Sequence, residues 1–168
     1  MNSQNPKNKT KLGESVERSE TNQQPKSSSY CFACGKDNPF GLKLMILGDA
    51  NEVHTTFTVK QRYEGFKDIT HGGIIATILD EMIAWACRKR KLDILTAELV
   101  VRYKKKLPVG ETIQAMGKIV QEHGRLIIGE SLIKDSKGQI IATGQAKMLR
   151  VTWQTAKRII NHRDRKEN

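Results

Sequence analysis

The sequence predicts an α+β domain in which an antiparallel sheet of about six strands wraps around one long central helix. Three observations lead there. The run from His71 to Cys87 is apolar nearly all round, as expected of a helix buried on every side. Short strand-like segments stand on both sides of it, two before and four after. Nothing else in the chain is available to cover the helix, so the strands must do so as one sheet.

Residues 1–29 are rich in Asn, Gln, Ser, Lys and Glu and hold no Phe, Trp, Tyr or Ile. They cannot bury enough apolar surface to offset ordering entropy, so a disordered polar lead is expected, with the domain over 30–152. Asp37-Asn38-Pro39-Phe40-Gly41 is turn chemistry and leads into Leu42–Leu47, a short apolar strand. Glu52–Lys60 alternates, with Val53, Thr55, Phe57 and Val59 on the face expected to be buried.

The helix follows, with Thr70 or His71 as its cap and an end near Arg90, where basic side chains suit the negative end of the dipole. Four strands are expected at about 94–106, 111–122, 125–135 and 139–150. In the first of them Leu99, Val101 and Tyr103 oppose Glu98, Val100 and Arg102. Pro108-Val109-Gly110, His123-Gly124 and Asp135-Ser136-Lys137-Gly138 supply the turns, the latter two short enough for hairpins, so these strands run mostly as a meander. Residues 153–168 form a basic tail in which Trp153–His162 either makes a short helix or docks its apolar residues elsewhere.

The formal charge of +11 on 168 residues favours an anionic partner. Of this, +6 falls within residues 88–106, from Arg88-Lys89-Arg90-Lys91 to Arg102 and Lys104-Lys105-Lys106. Read as one patch beside the acid-bearing helix, it fits a compact polyanion better than an extended nucleic-acid track, and no specific nucleic-acid partner is expected. No apolar run approaches the roughly 20 residues of a membrane span, and the start has no apolar signal segment, so the cytoplasm is the expected location.

Three cysteines are an odd number, and Cys87 lies inside the apolar helix, which suits a reducing compartment. Cys31-x-x-Cys34 is half a zinc pattern. The second ligand pair is missing and His54, His123 and His162 have no ligand spacing, so no metal is expected.

Asp80 and Glu81 interrupt the apolar helix. Burying an ionised carboxylate without a partner costs several kcal/mol, roughly, so such a group is neutralised, paired with an Arg or backbone groups, or kept for a task. The two residues differ by about 100° around a helix, and only one can face a cleft squarely.

His71-Gly72-Gly73 opening an apolar helix with Asp80 two turns on resembles the hot-dog fold thioesterases, in particular the bacterial phenylacetyl-CoA type and mitochondrial thioesterase-superfamily members. The resemblance covers roughly residues 30–150. Cys31-Phe32-Ala33-Cys34-Gly35, Asn38-Pro39-Phe40-Gly41-Leu42, Pro108-Val109-Gly110-Glu111, Gly124-Arg125 and Asp135–Ala142 support it.

The resemblance implies metal-independent hydrolysis of acyl-CoA to free acid and CoA. CoA enters as part of the substrate and no separate cofactor is expected. Homodimers with interfacial active sites, paired into homotetramers, are implied as well. It assigns Asp80 as general base or nucleophile, Gly72 N–H as oxyanion donor, and Thr96, contributed by the partner subunit, as a hydroxyl that orients water or thioester. Gly65 stands where some relatives carry an amide-bearing residue, so either the water is held differently or this chain leans on Thr96 and His71. Gly73, Tyr103, Lys104, Lys105, Lys106, Gly124 and Arg125 fall in the region that binds CoA.

The chemistry agrees with this assignment. Thioester hydrolysis needs an activated water or attacking carboxylate, and donors to the developing oxyanion. Glycines at a helix N-terminus let a carbonyl approach unpaired N–H groups. A hot-dog module that binds acyl-CoA or another anionic ligand without turnover is the competing function, motivated by Gly65 and by the charge.

Overall fold

The computed structural model describes residues 28–152. The expectations for residues 1–27 and for the tail from Trp153 onward lie outside them. Its elements are β1 (Leu47–Gly48), β2 (Val53–Thr58), α1 (Gly72–Lys89), β3 (Ile94–Tyr103), β4 (Thr112–His123), β5 (Leu126–Lys134) and β6 (Ile140–Arg150). The strands form one six-stranded sheet in the order β1-β2-β4-β5-β6-β3, with every neighbouring pair antiparallel.

The predicted architecture is therefore present, with two corrections. β1 is two residues long rather than spanning Leu42–Leu47. Leu42 and Leu44 are buried, but their N–H groups donate to Phe32 O (2.8 Å) and Ala33 O (2.9 Å), so this stretch pairs with the preceding turn instead of the sheet. The meander covers β4 to β6 only. β3 crosses to the far edge and pairs with β6, from Ile94↔Arg150 to Tyr103↔Ala142.

α1 starts where His71 caps it, Nδ1 accepting from Gly73 N–H at 2.9 Å. It ends as the chain turns through Lys91 at φ 58°, with Leu92 N–H donating to Cys87 O at 3.1 Å. Ile78, Leu79, Met82 and Ile83 are fully buried against sheet residues that include Val53, Ile113, Ile127, Ile133 and Met148. Each such side chain contributes about 1.5–3 kcal/mol through burial. The sheet comes close enough to wrap the helix because Gly117 faces it: a Cβ there would lie 2.6 Å from the backbone of Met82.

The helix lies across the sheet with its two ends at opposite rims. At its C-terminus Arg90 bonds Glu122 (2.7 Å) and Ala50 O (2.8 Å), and Glu122 also takes Arg150 (3.2 Å). At its N-terminus Tyr103 hydroxyl donates to Gly72 O at 3.0 Å. Among the described residues, no helix is long and apolar enough to cross a membrane.

Candidate functional site

Asp80 is half-buried midway along α1, and its Oδ1 accepts a hydrogen bond from Thr96 Oγ1 at 3.0 Å. Burial pushes the Asp80 carboxyl above the usual carboxylate range. The Thr96 hydroxyl opposes that shift, and the neighbouring Glu81 charge adds to it. Thr96 thus lies beside the Asp80 carboxylate of its own chain. The reason is local: β3 breaks register against β6 between Thr96 and Glu98, a bulge that aims the hydroxyl at the helix.

Glu81 turns elsewhere, as the helical offset requires, and accepts from Trp85 Nε1 at 2.9 Å. Thr77, one turn before Asp80, spends its hydroxyl on Gly73 O at 2.9 Å.

A second cluster sits at the helix N-terminus. Gly72 N–H has no acceptor among the described residues, whereas Gly73 N–H is taken by His71 Nδ1. This leaves His71 Nε2 as the donor nitrogen of that ring. An open cavity of about 350 Å³ joins Gly72 and Thr70 to Tyr103, Lys104, Lys105 and Lys106. The backbone N–H groups of Lys104 and Lys105 both donate to Ile141 O (2.8 and 3.1 Å), which fixes the strand exit beside the cavity. Lys105 Nζ also bonds Gln139 Oε1.

Thr70 is the residue at this mouth that the sequence marked only as a possible cap. It is buried, its N–H donates to Leu107 O, and its Oγ1 has no partner among the described residues. Gly65 has a steric reason to be glycine, because a Cβ there would lie 2.9 Å from His71 Cα.

Gly124 and Arg125 do not join this cluster within one chain. They form the β4–β5 turn, beside the start of β3 through Leu126↔Leu149 and Leu95↔Leu149, while Tyr103 ends that strand. Eight residues of strand separate the two rims by about 26 Å. The single basic patch expected from residues 88–106 is divided in the same way. Arg88 and Lys89 lie over the Trp85 ring (4.8 and 6.0 Å) and Arg90 binds Glu122, all at the far end of the helix from Lys104–Lys106. Sequence proximity misled here because the helix and the strand after it run in opposite directions, placing the two basic groups at opposite rims.

Comparison with known proteins agrees with the resemblance read from the sequence. Residues 68–142 match the thioesterase superfamily. A solved thioesterase superfamily protein shares 25% identity and a TM-score of 0.68 over 72% of this chain, which spans only 60% of that protein. The PaaI protein of the Escherichia coli phenylacetic acid degradation operon superposes with a TM-score of 0.62 at 18% identity, over 66% of this chain and 81% of its own. A Streptococcus mutans protein solved with acetyl-CoA gives 0.62 at 18% identity, over 64% of this chain and 88% of its own. The last two likenesses establish the shared fold. No curated protein sequence matches the chain.

Proposed function

From the premise that this is a hot-dog chain whose residues 68–142 match the thioesterase superfamily, we propose that it hydrolyses acyl-CoA thioesters to free acid and CoA. The observation that carries this reading is the cavity at the helix N-terminus, where an uncommitted backbone donor, Gly72 N–H, and three lysines share one opening. The lysines suit the phosphates of a CoA nucleotide, and the donor suits the oxyanion formed when the thioester carbonyl is attacked. That an acetyl-CoA complex exists for a protein of the same fold supports the ligand class.

Asp80 either takes a proton from the attacking water or attacks the carbonyl itself, and Thr96 orients its carboxylate. In the water route, hydroxide adds to the carbonyl carbon. The tetrahedral oxyanion rests on Gly72 N–H, then collapses by breaking the C–S bond, and the proton held by Asp80 goes to the departing thiolate.

One chain does not complete this site. Gly72 and Asp80 are eight residues apart on α1, about 12 Å along its axis, too far for both to act on one carbonyl. The Asp80–Thr96 pair of one copy must therefore meet Gly72 and the lysines of another. β3 is the edge strand, and Leu95, Val100 and Tyr103 on it are exposed, which suits pairing of a second copy along that edge in a homodimer. A homotetramer would follow from pairing two such dimers.

The test is a panel of aryl-, short-chain and long-chain acyl-CoAs with a thiol reagent reading released CoA. Turnover that falls at least about 100-fold in Asp80→Asn supports the proposal. Turnover unchanged in that variant removes Asp80 from the mechanism. Tight acyl-CoA binding without product would instead favour a non-catalytic binding module.

A further inference from the structure

We propose that Cys31, Cys34 and Glu81 bind a single thiophilic divalent cation of the zinc class, on the flank of α1 about 100° around the helix from Asp80. This site is independent of the thioester reading. Read alone, the Cys31-x-x-Cys34 pattern lacked further ligands, and no metal was expected. The fold supplies the third group from far along the chain: the two Sγ atoms and a Glu81 carboxylate oxygen all lie within 4.8 Å of one another. Four tetrahedral ligands around zinc stand about 3.8 Å apart when each bond is about 2.3 Å, so modest side-chain rotation closes three protein ligands on one ion. All three residues are half-buried, so the ion would be shielded yet reachable.

The ligand positions are built rather than accidental. The turn that carries both thiols is closed by Gly35 N–H donating to Cys31 O at 2.9 Å and by Cys31 N–H donating to Ser28 O at 2.9 Å. Position 35 must be glycine for that closure, because a Cβ there would lie 2.4 Å from Cys31 N and 2.5 Å from Cys31 O. Ala33, between the cysteines, is buried in the core, and the bonds from Leu42 and Leu44 tie the turn to the domain. On the helix side, Trp85 Nε1–H donates to Glu81 Oε1 at 2.9 Å. An outer hydrogen bond of this kind fixes a ligating carboxylate and leaves its second oxygen for the metal.

Two thiolates and one carboxylate make three protein ligands, with water or a further group as the fourth. Binding releases the two thiol protons, and the ion clamps residues 31–44 to the middle of α1.

The experiment titrates Co²⁺, then Zn²⁺, into the full chain after chelator treatment under reducing conditions. The expected result is one Co²⁺ per chain with thiolate-to-cobalt charge-transfer absorption, displaced by Zn²⁺. Cys31→Ser and Cys34→Ser each weaken that absorption, and the double variant loses it. Glu81→Gln keeps it at affinity at least about 10-fold weaker, and Trp85→Phe weakens affinity about 10- to 100-fold.

Should a serine variant misfold, the unaltered chain gives a second arm: equimolar Zn²⁺ raises its unfolding midpoint and chelator reverses the rise. The proposal is overturned by absence of thiolate absorption and of that rise in the reduced chain. It is equally overturned by absorption that persists in the folded double serine variant. Acyl-CoA turnover is not the readout, so the outcome is separate from the fate of the thioesterase proposal.

Discussion

Thr96 Oγ1 stands 3.0 Å from Asp80 Oδ1, joining the bulge of β3 to the middle of α1 within one chain. The hydroxyl stabilises the charged carboxylate against the burial that disfavours it. Thr96→Val keeps the shape and removes the donor, and a hydrogen bond to a charged group is worth about 1.5–3 kcal/mol. The expected outcome is a kcat lowered by roughly 10- to 100-fold, with KM for acyl-CoA little changed, measured by steady-state CoA release. A kcat equal to that of the unaltered protein would mean that the pair is structural.

Lys104, Lys105 and Lys106 border the cavity that opens at Gly72, whereas Arg125 lies at the opposite rim of the same chain. Replacing the three lysines by alanine should raise KM for acyl-CoA about tenfold or more at low salt, with kcat nearly preserved, because phosphate contacts act on binding. The salt dependence of KM should flatten with it, since exposed charge attraction is what ions screen. Arg125→Ala is the informative comparison. A KM within about twofold of the parent value is expected, while a rise matching that of the lysine variant would mean that a second copy brings its β4–β5 turn to the cavity.

The buried helix and most strands were legible because periodicity reports burial directly: β2 buries Val53, Thr55 and Phe57 and exposes the residues between them. Positions set by contacts distant in sequence were not. Leu42 and Leu44 carry a strand-like apolar signal, yet their backbone partners are Phe32 and Ala33, which no local pattern announces. Glu81 read only as a competitor of Asp80 because its approach to Cys31 and Cys34 depends on how the lead turn packs against the helix. Thr96 was found by resemblance, but its bond to Asp80 was not legible, since a bulge leaves no trace in alternation.

Gly65 tests whether the missing amide at that position is a loss or a constraint. A Cβ there would sit 2.9 Å from His71 Cα and 3.2 Å from the His71 side chain, in the segment that caps α1. Gly65→Ala should destabilise the fold by about 1–3 kcal/mol through forced displacement of this cap, read from urea unfolding. Gly65→Asn should do no better and should lower turnover rather than raise it. An asparagine variant that is as stable as the parent and faster would mean that the site has room for the amide.

Cys87 separates buried sulfur from the thiols near the surface. It is wholly buried in the core face of α1, and its pKa is pushed up to about 11 by burial first and by the Glu122 charge second, against the opposing pull of Arg90 and Arg150. In the unfolded chain the same thiol titrates near 9.0, so between these values the folded form holds a proton that the unfolded form has lost. The stability contributed by Cys87 is accordingly complete below about pH 9 and falls as pH rises toward 11. Denaturant midpoints compared for the parent and Cys87→Ala should differ by a constant below that window and converge within it. At pH 8, alkylation should reach Cys87 only after unfolding, because the nucleophile is the thiolate and the native site both protonates and covers it. Rapid labelling of Cys87 in the native chain would contradict the packing that holds the helix in its sheet.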